Sequence, residues 1–401
     1  MTPAVLRGES RGWVYFDGPS GTQMIQPAID AIAEFSRAGL SNRHGYSPAG
    51  DETEEVIASA REGFRTLFRA EDYDVAFGQN MTTLTFALAH AAARRWGRDG
   101  GKVVVSELEH AANDDTWSEA FAARGATTTA VRVDEETLDL EPGGFERLDT
   151  NGGVAVVAVT GAANAVGVKP DLAEAHAFAR GQSALFVVDG VHLTPHGPPD
   201  VTELDPDIFF CSAYKFYGPH VGVALVKKSL DFQPFKVAPA PRTGPEKFET
   251  GSQNHEGIAG LAAAVCGLGR LVGRGNGEGA REALHALGQH ETALAQGLVE
   301  QLAAIPGVRV YGHQDKKTSY VATVAFTVDG RRPTDLARDL RQEGVFVTAG
   351  DFWATRLAAR LGVAEAGGWV RIGLSGYTTE DEVARLVGAL GRVTRAAPSG
   401  G

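Results

Sequence analysis

The sequence predicts an α/β fold, with a large domain built on a doubly wound, mostly parallel sheet and a smaller C-terminal α/β domain. Up to residue 226, short apolar runs alternate with segments of helical apolar spacing, which is typical of strand–helix–strand units. The run at residues 185–189 is apolar until a single final carboxylate, as expected of a strand buried on both faces. After a long helical stretch the alternation resumes at residue 308, which indicates a second unit.

The predicted elements follow in order along the chain. In the first unit a strand and turn are predicted at residues 13–24, further strands at 75–78, 103–105, 128–131, 154–159, 185–189, 206–212 and 221–226, and helices at 25–35, 52–68, 84–96, from 110, and 172–179. Two long helices, 257–272 and 280–305, lead into the second unit. In that unit helices are predicted at 333–343 and 379–394, and strands at 308–311, 320–327 and 369–374.

These elements suggest a division of the chain. An N-terminal segment, 1–24, is expected to pack with the small domain. The large domain is expected to span 25–256, and a linking helix and hinge 257–280. The small domain is expected to span 281–396, followed by a disordered tail at 397–401. The stretch 273–279 has the glycine content of a dinucleotide-binding loop. It follows a helix instead of a strand, so we interpret it as part of the hinge.

Composition limits the classes of partner. The 401 residues carry 38 Lys and Arg against 50 Asp and Glu, a net charge of −12 without a basic block, which argues against nucleic acid or an anionic membrane. Residues 1–10 lack an apolar core and no window resembles a membrane span, so we expect neither a signal peptide nor a transmembrane helix. The 2 cysteines lie in apolar segments, which suits a reducing compartment, and we expect a cytoplasmic protein.

One lysine has an unusual setting. Lys215 stands between Tyr214 and Tyr217, directly after the apolar run 206–212 and before a Gly-Pro turn. Burial lowers the pKa of a lysine and makes its amine a nucleophile toward aldehydes. Asp189 ends the neighbouring predicted strand, so both side chains are expected at one crevice. A Schiff-base lysine and a carboxylate that keeps a pyridine nitrogen protonated are what pyridoxal 5′-phosphate requires. The alternatives are a buried Asp–Lys ion pair or two unrelated residues at strand ends.

A second feature is the turn between the strand at 75–78 and the helix at 84–96. Its small and hydroxyl residues, 79–83, would bring free backbone amides and the positive end of a helix dipole together. The turn therefore predicts an anion or phosphate site, with plain helix capping as the alternative.

Taken together, these segments resemble the fold-type I pyridoxal-phosphate enzymes of the class V aminotransferase group, which includes cysteine desulfurases and selenocysteine lyases. The resemblance runs from residue 15 to residue 390. Its marks are FGQNMTT at 77–83, SAYKFYGPH at 212–220 and FETG at 248–251, which indicate the cysteine desulfurase-like subgroup. It implies a seven-stranded sheet in the large domain, pyridoxal 5′-phosphate as cofactor, a small-molecule amino-acid substrate and a homodimer with shared active sites.

The resemblance also implies roles for single residues. Lys215 would be the Schiff-base lysine, Asp189 would face the pyridine nitrogen, and His110 would stack on the ring and shuttle a proton. Asn164 corresponds to an asparagine near the phenolic oxygen and the substrate, and Arg371 to an arginine that clamps the substrate's α-carboxylate. Contacts to the phosphate are implied for Met81, Thr82 and Ser212. A further phosphate contact is implied for Ser252, which would be contributed by the second subunit.

Two departures from the group's pattern bear on the reaction. His192 stands where the group carries a glutamine beside the phenolic oxygen. The loop at 348–356 lacks the cysteine that takes the substrate's sulfur in desulfurases. It carries Phe352 and Trp353, which are expected to form an aromatic lid that excludes water or binds a larger substrate. His44 is a further candidate for substrate binding, and His44, Tyr46 and His192 are the residues that could modify the site above the ring and bias the reaction.

The expected reaction is carbon–sulfur lysis, a β-elimination from cysteine or a cysteine S-conjugate, because it needs no catalytic cysteine. Cys211 and Cys266 are expected to pack as small hydrophobic residues. Transamination, oxidative deamination or decarboxylation of a cysteine-derived amino acid is the alternative. A non-catalytic cofactor-binding dimer that recruits a partner is an alternative of another class.

The pair Ser212 and Lys215 also fits the Ser-x-x-Lys motif of penicillin-recognising enzymes, but the Ser-Asp-Asn partner motif is absent.

Overall fold

The computed structural model of the chain describes residues 12–39, 42–43, 46–230, 232, 234, 241–313 and 318–395. Residues 1–11 of the predicted N-terminal segment, His44 and the predicted tail 397–401 lie outside the described residues. None of the helices in the described ranges combines the length and the apolar surface that a membrane crossing requires.

Strands and helices alternate along most of the chain. The strands are β1 (Val14–Tyr15), β2 (Tyr73–Gly78), β3 (Lys102–Ser106), β4 (Thr127–Val131), β5 (Val154–Thr160), β6 (Val168–Lys169), β7 (Leu185–Asp189), β8 (Ile208–Ser212), β9 (Gly222–Lys227), β10 (Val308–Tyr311), β11 (Ser319–Tyr320), β12 (Thr323–Val328), β13 (Val345–Phe346), β14 (Thr348–Gly350) and β15 (Trp369–Gly373). The helices are α1 (Gln26–Ala38), α2 (Pro48–Phe68), α3 (Met81–Trp96), α4 (Ala111–Ala122), α5 (Ala173–Gly181), α6 (Val201–Leu204), α7 (His255–Arg270), α8 (Gly277–Ala303), α9 (Pro333–Gln342), α10 (Thr355–Arg360) and α11 (Glu380–Arg395).

The large sheet contains seven strands within the described residues, in the spatial order β2–β9–β8–β7–β5–β3–β4. Every neighbouring pair is parallel except those of β9, which runs antiparallel to both β2 and β8. All residues of β5 and β7 are buried, because α3 and α4 pack on one face of the sheet and α2, α5 and α7 on the other. The prediction of a doubly wound, mostly parallel sheet is therefore confirmed. The parallel strands all end at one edge, which we call the carboxyl edge.

A smaller sheet forms the second unit, in the order β10–β12–β15–β14, with all its pairs antiparallel. Its core is completed by α9, α11 and the end of α8, which contribute Leu336, Leu386 and Leu302. The N-terminal strand β1 pairs in parallel with β13, and Asp17 bridges to Gly373 at the end of β15. The residues that follow β1 are thereby brought beside the small sheet, close to the carboxyl edge of the large one.

Candidate active site

A cavity of about 320 Å³ opens at the carboxyl edge of the large sheet. The ends of β5, β7 and β8 line it together with the beginnings of α3 and α4, and β15 of the small sheet closes it. Residues far apart in sequence converge here because the parallel strands end at the same edge. Of the residues predicted for the site, the cavity brings together Met81, Thr82, His110, Asn164, Asp189, His192, Ser212, Lys215, Trp353 and Arg371.

The amine of Lys215 and the carboxyl of Asp189 lie in this cavity with shifted pKa values. Lys215 ends a single 3-10 turn directly after β8, and its Nζ donates a hydrogen bond to the Pro19 carbonyl. Burial, and then the positive charge of Arg371, lower the pKa of Lys215 to about 7. Burial raises the pKa of Asp189 to about 6, although its Oδ1 accepts the Val191 N–H at 3.0 Å. In this buried position, a cationic partner would stabilise the ionised form of Asp189.

The lowered pKa of Lys215 predicts how the apoenzyme takes up an aldehyde cofactor. Only the neutral amine attacks an aldehyde. The neutral fraction of a lysine is one half at a pH equal to its pKa and approaches one at higher pH. The rate of reconstitution with pyridoxal 5′-phosphate should therefore rise through pH 7 and level off above about pH 8. Stopped-flow absorbance measures this rate. A rate that still climbs steeply above pH 9 would show an ordinary lysine and contradict the prediction.

His110 precedes α4 and caps it. Its Nδ1 accepts the Ala112 N–H at 3.0 Å, so a neutral ring carries its proton on Nε2. Burial, followed by the positive charges of Lys215 and Arg371, lowers the pKa of His110 to about 4. The ring lies 5.7 Å from that of Trp353, measured between centroids. A neutral ring of fixed orientation results, suited to stacking on a planar group.

Arg371 lies on β15 with 3% of its surface exposed. Its Nη1 donates to the Asn164 carbonyl at 3.0 Å, and its Nη2 donates to Ser20 Oγ at 2.8 Å and lies 3.4 Å from Asp17 Oδ1. Its Nε has no hydrogen-bond partner among the described residues. The Phe352 ring stacks on the guanidinium, with the centroid 3.8 Å from Cζ. These contacts hold one charged fork at the cavity in a fixed orientation.

The loop between β14 and α10 carries the two aromatic residues of the predicted lid. Phe352 packs against Arg371 and is not among the residues that line the cavity. Its predicted contact with the substrate stays a prediction. Trp353 does line the cavity, with 65% of its surface exposed. The Phe352 carbonyl accepts from Asn164 Nδ2 at 2.8 Å, and the Trp353 carbonyl accepts the Ala111 N–H at 2.8 Å.

The backbone of this loop is strained. Phe352 has φ 56° and Trp353 has φ 55°, a left-handed conformation that bulky residues rarely adopt. Such strain persists only where surrounding contacts impose it. Arg356 at the start of α10 adds a further tether, with its Nη2 3.1 Å from Asp114 Oδ1. These contacts hold the loop in place beside the cavity, and the indole of Trp353 lies at the mouth of the cavity.

The predicted anion site lies at the beginning of α3. Asn80 caps this helix by accepting the Thr83 N–H on its Oδ1 at 2.9 Å, and Met81 and Thr82 occupy the first turn. Ser212, at the end of β8, lines the same cavity. The first amides of a 16-residue helix and a hydroxyl thus surround one space, which suits a phosphate group.

Gly222, the first residue of β9, lies behind this turn between Gly78 and Ser212. A Cβ at position 222 would lie 2.2 Å from the Asn80 carbonyl carbon and 2.6 Å from the Met81 nitrogen. We therefore predict that Gly222→Ala displaces the start of α3 and raises the Kd for pyridoxal 5′-phosphate about tenfold or more. Gly181→Ala is the control, because a Cβ there has no neighbour within 4 Å. Equal cofactor affinities in the two variants would contradict the prediction.

Other predicted residues do not join the cavity. Ser252 is exposed and lines a second, wider cavity of about 670 Å³ together with Thr83 and His255. Tyr46 is exposed on the surface. The contact predicted for Ser252 from a second subunit stays a prediction.

The cavity residues fit pyridoxal 5′-phosphate. Three buried atoms, Asn164 Oδ1, His192 Nδ1 and Arg371 Nε, have no hydrogen-bond partner among the described residues, although all three residues line the cavity. Unpaired buried polar atoms are costly and point to a polar ligand. An amine, a carboxyl and a helix N-terminus in the same cavity match the aldehyde, ring nitrogen and phosphate of this cofactor.

Some residues at the site were not foreseen from the sequence. Asp17 and Ser20 contact Arg371, the Pro19 carbonyl accepts from Lys215, and Thr323 bonds to His192. The turn DGPSG at 17–21, a carboxylate and a hydroxyl placed after a strand, is the signal that could have found the first three. No sequence pattern around Thr323 indicates that it belongs to the site.

Comparisons with known proteins agree with this geometry. The Aminotransferase class-V family model matches residues 14–386. A cysteine desulfurase of Salmonella agona is 28% identical over 418 residues, which cover 98% of this chain and 96% of the relative. The apo structure of a cysteine desulfurase from Thermococcus onnurineus NA1 has a TM-score of 0.86 at 24% identity, covering 96% of this chain and 95% of that one. An Escherichia coli cysteine desulfurase in S-sulfonic acid form has a TM-score of 0.82 at 26% identity, covering 95% and 94%. The chain therefore belongs to the class V aminotransferase family and is a cysteine desulfurase-like enzyme that depends on pyridoxal 5′-phosphate.

Proposed function

We propose that this enzyme is a carbon–sulfur lyase that cleaves cysteine S-conjugates by β-elimination, with Lys215 as base and Arg371 as carboxylate clamp. The observation that carries the proposal is a cavity that has the amine and the guanidinium but no thiol. The chain has 2 cysteines, both in the described residues, and neither lines the cavity. A reaction in which the sulfur leaves with the substrate's own substituent needs none.

The two cysteines are poorly placed to accept sulfur. Cys211 is wholly buried within β8, and burial raises the pKa of its thiol well above the ordinary value. Cys266 lies within α7, and its Sγ lies 3.2 Å from where a Cβ would stand at Gly275, in the turn before α8. The loop that carries the reactive cysteine in desulfurases, by the resemblance described above, here presents Phe352 and Trp353. These facts support elimination over persulfide transfer.

Each residue of the cavity would have a separate role in the reaction. Arg371 would bind the α-carboxylate through its fork, oriented by Asp17 and Ser20. When bound, the cofactor withdraws electrons from the substrate's α-carbon, and Asp189 would sustain this by pairing with the ring nitrogen. Lys215, whose pKa is about 7, would take the α-proton and pass it to the departing sulfur. His110 would cover the ring from above.

The overall chemistry balances without an oxidant or a second amino acceptor. The Cα–H and Cβ–S bonds break, and the sulfur leaves as a thiol. The remaining three-carbon fragment takes up one water and yields pyruvate and ammonium. The exposed indole of Trp353 at the cavity mouth offers an apolar surface to whatever substituent the sulfur carries. An S-conjugate with an apolar or aromatic substituent therefore suits the cavity better than free cysteine.

The enzyme is also proposed to be a homodimer. Ser252 and Thr83 line a wide polar cavity next to the start of α3, a surface where a second copy would place its own Ser252 toward the phosphate site. Sedimentation of the holoenzyme should give about twice the 42.3 kDa chain mass. A monomer with full activity would remove the shared-site proposal.

The test of the reaction is a product panel. The holoenzyme is incubated with S-benzyl-, S-methyl- and unmodified L-cysteine, and with L-alanine, which has no leaving group. We expect pyruvate and thiol in equal amounts, fastest from the S-benzyl conjugate, and no pyruvate formation from L-alanine. A 2-oxo acid that retains the sulfur, formed together with pyridoxamine phosphate, would mean transamination, and release of carbon dioxide would mean decarboxylation. Either result would overturn the lyase proposal.

A further inference from the structure

The small sheet reaches the cofactor cavity through a second residue besides Arg371. Thr323 is the first residue of β12, and its Oγ1 lies 2.9 Å from Nε2 of His192, in the segment that follows β7. Both residues are buried, with 0% and 3% of their surfaces exposed. The threonine is fixed by its backbone, which pairs with Gly373 of β15 and donates to the Val321 carbonyl at 2.7 Å.

We propose that Thr323 is a positioning residue that donates its hydroxyl proton to His192 Nε2, so that the histidine presents Nδ1–H to the phenolic oxygen of the cofactor. The proposal rests on the pyridoxal phosphate dependence of the family and on the place of His192 in the cavity. It does not depend on which reaction the enzyme catalyses.

The tautomer matters because this imidazole is neutral. Lys215 follows β8, Arg371 is on β15, His110 begins α4, and His196 lies in the same segment as His192. Burial, and the positive charge that each of these groups can carry, hold the pKa of His192 well below its ordinary value. A neutral ring has one N–H, and the partner of one nitrogen decides what the other nitrogen can do.

The partners at the cavity favour a proton on Nδ1. Of the two ring nitrogens of His192, only Nδ1 lacks a hydrogen-bond partner among the described residues. Asn164 has one amide N–H committed to the Phe352 carbonyl, and its unpaired atom is the acceptor Oδ1. An ionised phenolic oxygen needs donors, and His192 can be one only if Nε2 accepts from Thr323.

A donated hydrogen bond stabilises the ionised phenolic oxygen and weakens its hold on the proton of the neighbouring Schiff-base nitrogen. The visible absorption of the bound cofactor follows that proton, so its apparent pKa reports the hydrogen bond. Without the threonine hydroxyl the preference for Nδ1–H is lost. We expect Thr323→Val to raise this apparent pKa by about one unit, a tenfold change in proton affinity.

The experiment is a pH titration of the visible band in holoenzyme variants. Thr323→Ser keeps the hydroxyl and should titrate like the wild type. Thr327→Val is the control, since Thr327 lies on the same strand and its hydroxyl faces Tyr311 at 3.4 Å. His192→Gln places an amide donor whose N–H does not depend on a tautomer. It should titrate like the wild type, and adding Thr323→Val to it should change nothing.

Three outcomes would overturn the proposal. The apparent pKa could be unchanged in Thr323→Val, or it could fall, which would mean that the ring donates to Thr323 and presents a lone pair to the cofactor. Thr323→Val could also shift the pKa equally in the His192→Gln background, which would mean that Thr323 acts without the histidine. Should the valine variant not retain the cofactor, Thr323→Ala is titrated in its place, with the same expected shift.

Discussion

Lys215→Ala is expected to abolish the absorption band at about 410–430 nm and to reduce turnover about a thousandfold or more. The variant loses the amine that forms the Schiff base with the cofactor and also the proposed base for the α-proton. The cofactor can still be held by the start of α3 and by Ser212, so the variant should retain a free-aldehyde spectrum. Absorbance spectra and single-turnover kinetics measure the two effects.

Lys228→Ala provides the matched control. Lys228 is an exposed lysine that follows β9, and its Nζ donates to the Glu71 carbonyl, away from the cavity. Its spectrum and rate should be those of the wild type. Borohydride reduction of the wild-type holoenzyme should fix the cofactor on the peptide that contains Lys215. A label on another lysine, or an unchanged band in Lys215→Ala, would refute the assignment.

Arg371→Leu is expected to raise KM for amino-acid substrates about a hundredfold or more, because losing one partner of a buried charge pair costs about 2–5 kcal/mol. The substitution also leaves Asp17 and Ser20 without the guanidinium they contact. The substrate's carboxylate would then face an uncompensated negative charge. Steady-state kinetics with an S-conjugate of L-cysteine measure the change.

A substrate without the carboxylate separates the clamp from a general loss of structure. The corresponding S-conjugate of cysteamine should bind the wild type and Arg371→Leu with similar Kd. Arg309→Leu, an exposed position on β10 of the same small sheet, should leave both constants unchanged. An Arg371→Leu enzyme with wild-type KM for the amino acid would show that the carboxylate binds elsewhere.

The parts of the site at the ends of large-sheet strands were predictable from sequence. Asp189 and Ser212 each end an apolar run, and Lys215 follows one, so local pattern and sheet topology suffice to bring them together. The turn before α3 was predictable for a similar reason, since polar residues at a strand-to-helix junction have few other partners. A resemblance to a family then gave roles to His110 and Arg371.

The remaining contacts depend on packing between distant segments. Arg371 and Ser20 are 351 residues apart, and Thr323 meets His192 across 131 residues, so no local pattern relates them. The left-handed backbone at Phe352 and Trp353 runs against their intrinsic preferences and comes from tertiary hydrogen bonds. Short elements such as β13 and β14 carry too few residues to show a period.

The reaction itself was least accessible to sequence reasoning. The fold and cofactor are common to the family, whereas the chemistry depends on which side chains enter one cavity. The missing loop cysteine is visible in the sequence, but its meaning depends on whether Cys211 or Cys266 could replace it. The structure places Cys211 inside β8 and Cys266 within α7.

Elimination without a catalytic thiol is tested by the activity of a cysteine-free enzyme, Cys211→Ala with Cys266→Ala. We expect this variant to form pyruvate and thiol from S-benzyl-L-cysteine at the wild-type kcat, provided that its melting temperature and cofactor content show an intact fold. A well-folded, cofactor-loaded variant whose kcat has fallen tenfold or more would show that a cysteine takes part and would contradict elimination without a catalytic thiol.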